Sequence, residues 1–290
     1  MCLKQYAITS AKTVLQKNTD GAPVRRSMIP ILLYHQIAQV PEQNDPKELA
    51  VPPQLFERQM AYLHRAGYRC LDLEQTVRYW QEGLNPPKKG FVLTFDDGYQ
   101  NLYFNMWPIL DRFGFTATIF LVAGRVGCQS DWEGQSGPFS APLLSWAEAR
   151  ELTKAGFTFG SHTLSHPQLT LLNDQQVEHE LRHSKAIIED HLGATVELCA
   201  YPYGKFDARV QRMARESGYT AACGIDRGTW GLFNLWRVGC MRKDNMLLFA
   251  LKTSGWTYRR VWLREETPLG PPLARALRYI RNIAPGSSVL

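Results

Sequence analysis

The sequence predicts an α/β protein, a single deformed (β/α) barrel of about seven parallel strands with a C-terminal helical extension. Three observations lead to that architecture. Short apolar runs recur along the chain, amphipathic stretches of helical period separate them, and four of the runs end in clusters of Asp, His or Tyr. Strands that alternate with helices imply a parallel sheet. In a closed parallel sheet the C-terminal strand ends share one mouth, where sites are built. The 290 residues, 44% of them hydrophobic, suit one large α/β domain or two modest ones, and no repeat or low-complexity stretch interrupts them.

The elements follow in order. Residues 28–34, MIPILLY, read as a buried strand ending at Tyr34-His35. Phe56, Met60 and Leu63 recur at i, i+4, i+7 and mark a helix that Gly67 stops. Residues 90–95, GFVLTF, form a second strand that runs into Asp96-Asp97-Gly98, and residues 115–122, FTATIFLV, form a third. The fourth, 157–160, ends at Ser161-His162. Asn173 is placed to cap a helix whose inner face is Val177, Leu181, Ser184, Ile188 and Leu192, with Gly193 as its stop. Residues 196–200 and 219–223 supply a fifth and a sixth strand, the fifth ending at Tyr201-Pro202-Tyr203-Gly204.

This divides the chain into an N-terminal extension (1–27), one barrel domain (28–240) and a basic C-terminal extension (241–290). From Arg237 onward ten Lys and Arg oppose three Asp and Glu, so the body is nearly neutral and the end carries the net charge of +6. Residues 1–19 are interrupted by lysines and contain no apolar run of secretory length, and no run elsewhere nears the roughly 20 residues that span a bilayer. The expectation is a cytoplasmic protein, with membrane association as an option for its basic end. Cysteines at 2, 70, 128, 199, 223 and 240 form no C-x-x-C pair, which argues against a cysteine zinc site and for reduced, apolar-packed thiols.

Four clusters carry chemistry. Asp96-Asp97 places two carboxylates side by side, which repel unless something uses them. A metal ion holding one would leave the other as a base; the plain alternative is a solvated Asp-Asp-Gly turn. His162 and His166 lie four apart, ahead of Pro167, in a loop rather than a helix. Two histidines and one aspartate leave coordination positions open, the catalytic rather than the structural pattern. His179 and His183 share the spacing but fall off the apolar stripe, so they should face solvent, as should His64 and His191. Tyr201-Pro202-Tyr203-Gly204 forms a tight turn that could present a backbone N–H to a developing oxyanion; the plain alternative is ordinary Pro-Tyr-Gly turn material. His35 stands at the same predicted mouth.

Together these residues resemble the NodB-homology polysaccharide deacetylases, carbohydrate esterase family four, over residues 28–240. The first motif stands as Thr94-Phe95-Asp96-Asp97-Gly98-Tyr99 and the second as Ser161-His162-Thr163-Leu164-Ser165-His166. The resemblance implies that Asp97, His162 and His166 hold a divalent metal, usually zinc, with cobalt or nickel as substitutes. It implies Asp96 as general base, the Tyr203 N–H at the oxyanion and Tyr99 among the substrate contacts. Two departures stand out. Ala200 occupies the place where many members carry an Arg that orients the base, so nothing identifiable in sequence orients Asp96. No His follows His191, so the usual C-terminal general acid is missing. The layout resembles the poly-N-acetylglucosamine deacetylase-like subgroup, in which the acid sits on the N-terminal strand, and this assigns the role to His35.

In the basic end, Trp256, Tyr258 and Trp262 alternate with Lys252, Arg259, Arg260 and Arg264. That composition suits a membrane interface or an anionic glycolipid, against the plain alternative of a helix packed on the barrel. No nucleic-acid motif accompanies it, so no nucleic-acid partner is expected. The expected partner is a carbohydrate, free or lipid-linked. Rival readings are a deformylase or ring amidohydrolase acting on a related C–N bond, which would carry the same motif residues, and a catalytically silent glycan-binding relative.

Overall fold

The computed structural model describes residues 29–132, 140–225 and 231–254. Its main sheet is parallel throughout. The strands are β1 (Ile31–Tyr34), β5 (Gly90–Phe95), β6 (Thr118–Leu121), β7 (Thr158–Ser161), β8 (Leu198–Ala200), β9 (Ala221–Gly224), β10 (Leu235–Trp236) and β11 (Val238–Gly239), in the order β10-β9-β8-β7-β6-β5-β1-β11. A short β4 (Arg69–Cys70) adds to the side of β5, and β2 (Gln36–Ile37) pairs separately with β3 (Ala50–Val51).

The two ends of that order are consecutive in the chain. Leu235 and Trp236 pair with Cys223 and Gly224, and Val238 and Gly239 pair two residues later in the chain with Leu32 and Leu33. One broken strand therefore joins both edges and nearly closes the sheet, with Arg237 at the break. Counting it once gives seven staves, as expected from the sequence. The expectation named only six of them; this closing strand was missing.

Period-two alternation sorts the side chains into two cores. Ile31, Val92, Phe120, Leu198, Ala200, Cys223 and Leu235 form the inner cluster, together with Leu73, Val77 and Trp80 from helix α2 (Leu73–Gln81). Leu32, Tyr34, Leu93, Phe95, Ile119, Leu121 and Cys199 belong to the larger outer cluster. Against that cluster pack α1 (Pro53–Arg65), α3 (Trp107–Phe113), α4 (Trp146–Lys154), α5 (Asp174–Leu192) and α6 (Ala208–Glu216). Gly160 makes room for the inner packing, because a Cβ there would lie 2.5 Å from the Phe120 ring and 2.9 Å from the Leu198 carbonyl.

Local sequence explains the helices. Asn173 accepts from the Gln176 N–H while Gln176 returns a bond to the Asn173 N–H, and Gly193 ends α5 in the left-handed conformation. Val177, Leu181, Ser184 and Ile188 are buried on its inner face, as expected, and Glu180 joins them. Leu192, placed on that face from sequence, is only partly buried. His179, His183, His64 and His191 are all exposed.

Beyond the barrel, α7 (Met246–Thr253) begins the C-terminal extension, capped by Asn245 and anchored through Phe249. The N-terminal extension (1–27) and the aromatic-basic stretch from Trp256 onward lie outside the described residues. Among those described, no helix is long and apolar enough to cross a membrane. The cysteines there are all free. Cys199, Cys223 and Cys240 are buried, whereas Cys128 is exposed rather than packed.

Candidate metal centre

The alternation that fills the barrel also builds the site. On β1 the inner row runs Ile31, Leu33, His35; on β5 it runs Val92, Thr94, Asp96; on the closing strand it runs Leu235, Arg237. Each row is apolar at depth and polar at the mouth, so sequence register alone delivers His35, Asp96 and Arg237 to one place.

Asp97 is the residue that breaks the strand. It adopts φ 72°, and Gly98 after it adopts φ 72° as well. A Cβ on Gly98 would come within 2.5 Å of Leu121 Cδ2, which makes glycine doubly required there. Six described non-glycine residues have positive φ, and four of them, Asp97, Thr163, His166 and Tyr203, belong to the mouth. Strain of this kind persists only where the surroundings enforce it, and it gathers at functional sites.

The donor atoms converge. His162 Nε2 lies 3.5 Å from Asp97 Oδ1, and His166 Nε2 lies 3.4 Å from the same oxygen. One donor atom from each of the three side chains fits within 4.8 Å of the others, and all three residues are buried. These separations are long for hydrogen bonds, and Asp97 Oδ1 has no hydrogen-bond partner among the described residues. They match ligands around a shared ion, since bonds of about 2.0–2.2 Å at tetrahedral angles hold ligand atoms roughly 3.3–3.5 Å apart. A buried, unsatisfied carboxylate oxygen facing two imidazole nitrogens is a donor set that fits a divalent metal.

The surroundings support that set. His162 Nδ1 meets the Ala200 carbonyl at 2.8 Å, which fixes its ring with Nε2 toward Asp97. His166 lies between two aromatic rings, stacked on Trp132 at 4.7 Å and edge-on to Tyr203 at 4.8 Å. Burial pulls the His162 imidazole down to about 4 against the opposing pull of Asp96, so it is a neutral donor at ordinary pH. For Asp97, burial raises the carboxyl, but the neighbouring His166, with smaller help from His35 and His162, outweighs it and holds the group ionised.

Asp96 has a partner that sequence reading did not find. Arg237 donates from Nη1 to Asp96 Oδ1 at 2.6 Å and from Nη2 to Oδ2 at 2.7 Å, a bidentate pair. The Arg237 side chain is 0% exposed and the Asp96 side chain 5%. The guanidinium also lies over the Phe120 ring, 5.4 Å from its centre. Burial would raise the Asp96 carboxyl, yet Arg237, then His162, lowers it below its ordinary value. The expectation that nothing orients Asp96 is thus corrected. The Ala200 carbonyl serves His162, and the guanidinium that holds Asp96 arrives from the closing strand. The available signal was a single charge inside the apolar stretch Leu235-Trp236-Arg237-Val238, which had been counted with the basic end.

The remaining residues named from sequence fall as follows. His35, half-buried, directly follows Tyr34, whose register partner Phe95 precedes Asp96, so it lies near both aspartates. Tyr203 takes φ 58°, ψ 10° in a 3₁₀ turn at the end of β8, its ring against His166. Tyr99 is 0% exposed, so it offers no surface to a substrate. Burial first, and then the Asp97 charge, push its phenol well above the ordinary value, keeping it protonated behind that carboxylate.

A nearly closed parallel barrel with one buried Asp-His-His donor set beside a second, arginine-held carboxylate defines the class: an α/β barrel with a candidate divalent-metal centre at its mouth. Comparison with known proteins points the same way as the sequence motifs. Residues 83–222, just under half of the chain, match the polysaccharide deacetylase family model. β1 and the closing strand lie outside the matched stretch yet complete the same sheet.

Among curated relatives, YxkH of Bacillus subtilis is 28% identical over 214 residues, 72% of this chain and 70% of that protein. The poly-beta-1,6-N-acetyl-D-glucosamine N-deacetylase of Staphylococcus aureus is 26% identical over 167 residues, and the match spans 54% of this chain and about half of that protein, 55%. Among solved structures, the Streptococcus pyogenes deacetylase PplD in complex with acetate superposes with a TM-score of 0.68 at 26% identity, covering 78% of this chain and 97% of that one. IcaB from Ammonifex degensii shares the fold, with a TM-score of 0.64 at 21% identity over 78% of this chain and 97% of that one.

Proposed function

We propose that the protein is a metal-dependent hydrolase that removes an acetyl group from an N-acetylated sugar of a glycan or of a lipid-linked glycan intermediate. The observation that carries this reading is the pairing of two adjacent carboxylates with different partners. Asp97 faces two imidazole nitrogens at 3.4 and 3.5 Å, while Asp96 is gripped through both oxygens by Arg237. That division of labour separates metal ligation from proton transfer.

Asp97, His162 and His166 are the residues that would hold the ion, with zinc favoured by the N/O donor set and cobalt or nickel as substitutes. Bound there, a divalent cation supplies Lewis-acid chemistry, polarising the acyl oxygen and acidifying water. Asp96, kept ionised and in one orientation by Arg237, takes a proton from the attacking water. The Tyr203 N–H is assigned to the developing oxyanion, on a backbone already in the unusual left-handed turn. His35 is assigned as the general acid that protonates the leaving amine, from the inner row of the strand beside Asp96. Tyr99, being buried, is reassigned from substrate contact to support behind Asp97.

The sugar substrate is supported by the staphylococcal relative, a poly-beta-1,6-N-acetyl-D-glucosamine N-deacetylase, and the removal of an acetyl group by the streptococcal deacetylase seen in complex with acetate. A lipid-linked substrate gains support from α7, where Leu247, Leu248 and Leu251 are 72%, 41% and 41% exposed just ahead of the aromatic-basic stretch. Flotation with vesicles containing anionic lipid tests this: co-flotation is expected, and its absence removes the membrane contact from the account. For the activity itself, acetate release from N-acetylglucosamine oligomers with added zinc or cobalt is the test.

A further inference from the structure

Both histidine ligands sit in one loop, residues 161–166, between β7 and α5, and that loop is strained. Thr163 has φ 68° and His166 has φ 64°. A left-handed non-glycine residue costs roughly 1–2 kcal/mol, so the loop needs external restraint to present both rings in one direction.

Part of the restraint is backbone. The Ala123 and Gly124 N–H groups donate to the Thr163 and Leu164 carbonyls at 3.0 and 2.8 Å. The rest comes from one carboxylate on the buried face of α5. Glu180 Oε2 accepts from the Leu164 N–H at 2.8 Å and the Ser165 N–H at 2.9 Å, and Oε1 accepts from Ser165 Oγ at 2.6 Å. Glu180 is 8% exposed, and among the described residues it has no ion-pair partner. A buried carboxylate is costly unless its lone pairs are filled, and here all three donors come from the two residues between the histidines' shared turn and His166.

We propose that Glu180 is a positioning residue for the metal centre: it locks residues 163–165 in the strained turn that aims His162 and His166 at Asp97. The inference rests on the reading of Asp97, His162 and His166 as metal ligands. Metal ligands are held in direction by their outer partners, and losing one such partner typically lowers metal affinity about 10–100-fold. His162 has the Ala200 carbonyl for this purpose; for His166 the restraint is on the backbone, one residue before the ligand.

The test is the Co²⁺ affinity of the full chain, read from visible absorption and chelator competition, beside the melting temperature of the metal-free protein. Glu180→Gln keeps the shape but replaces one acceptor oxygen with a donor, so it cannot accept all three bonds. Its Co²⁺ affinity should fall about 10–100-fold, while saturating Co²⁺ restores activity toward wild type. Ser165→Ala removes only the 2.6 Å bond and no charge, and should lower affinity several-fold in the same direction. Glu189→Gln, on the same helix but bonded to the Val196 N–H and Lys185, should leave affinity unchanged. If Glu180→Gln and Ser165→Ala both bind Co²⁺ as wild type does, or lose affinity only as far as Glu189→Gln does, the positioning role is overturned. If wild type binds no Co²⁺, the metal reading falls and this inference falls with it, an outcome distinct from the first.

Discussion

Arg237→Gln isolates what the closing strand contributes to chemistry. The substitution removes a guanidinium bonded to Asp96 at 2.6 and 2.7 Å, in a pair whose side chains are 0% and 5% exposed. A unit-charge pair about 4 Å apart is worth about 4 kcal/mol at an effective dielectric of about 20. Breaking a buried pair by removing one partner costs about 3–5 kcal/mol, because the survivor remains buried and unpaired. The two figures agree, and they have two destinations. Part appears as lost stability, a fall in melting temperature of roughly 10 °C at about 2–4 °C per kcal/mol. Part appears in Asp96 itself. Burial raises that carboxyl and Arg237 is the largest influence lowering it, so without Arg237 the proton returns. The sign is that of a depressed acid: its ionised form is favoured above the unfolded value, and losing the partner moves titration to higher pH. The acidic limb of kcat/KM should therefore move up in pH. Activity at neutral pH should drop by about 100-fold or more, the scale of a lost general base. Arg237→Lys, which keeps the charge but not the fork, should fall between. Steady-state rates from pH 5 to 9 on folded protein are the assay. An Arg237→Gln variant with the wild-type profile would refute the reasoning outright, since it would mean that Asp96 needs no partner or is not the base.

Further outcomes follow from the same geometry. Chelation should abolish activity and lower the melting temperature, with both restored by zinc or cobalt, because the ion binds only the folded donor set. In the metal-free protein, His162 binds a proton only near pH 4 when folded but near its ordinary 6.5 when unfolded, so the unfolded state holds more protons between these values and stability should fall as pH drops through that window. His162→Gln should flatten this slope relative to wild type; the opposing slope from Glu74, which burial raises to about 7, is common to both proteins and cancels in the comparison. Gly124→Ala would set a Cβ 2.7 Å from the Leu164 carbonyl oxygen, and should weaken metal binding while destabilising the fold by about 1–3 kcal/mol, measurable by Co²⁺ titration and denaturant melts. His35→Ala should cut amide hydrolysis by about 100-fold or more yet spare an activated acetyl ester, whose leaving group needs no proton; an equal loss on both substrates would remove the general-acid assignment.

The polar strand ends could be read from sequence because each interrupts an apolar run abruptly. Asp96-Asp97 follows GFVLTF, and Ser161-His162 closes a strand, so the hydrophobic pattern itself marks where the mouth begins. Arg237 escaped for the opposite reason. β10 and β11 are two residues each, too short to show a period, and the partner of Arg237 is 141 residues away. Tyr99 escaped because a tyrosine carries both an apolar body and a polar tip, and sequence does not say which one the fold uses. Glu180 was hidden on a helix face identified correctly by its apolar residues; a lone acid on such a face is the mark of a buried acceptor, and its donors, in residues 164–165, come together with it only in the folded barrel. Tertiary pairing, not local pattern, decides all three.

The central claim is most directly tested by acetate release from N-acetylglucosamine oligomers, with zinc or cobalt present, comparing wild type with Asp96→Asn. The account predicts acetate from wild type and essentially none from Asp96→Asn, which retains its metal because Asp97, His162 and His166 are untouched. A metal-loaded, folded wild type that releases no acetate from these oligomers or from a lipid-linked N-acetylated sugar would contradict it.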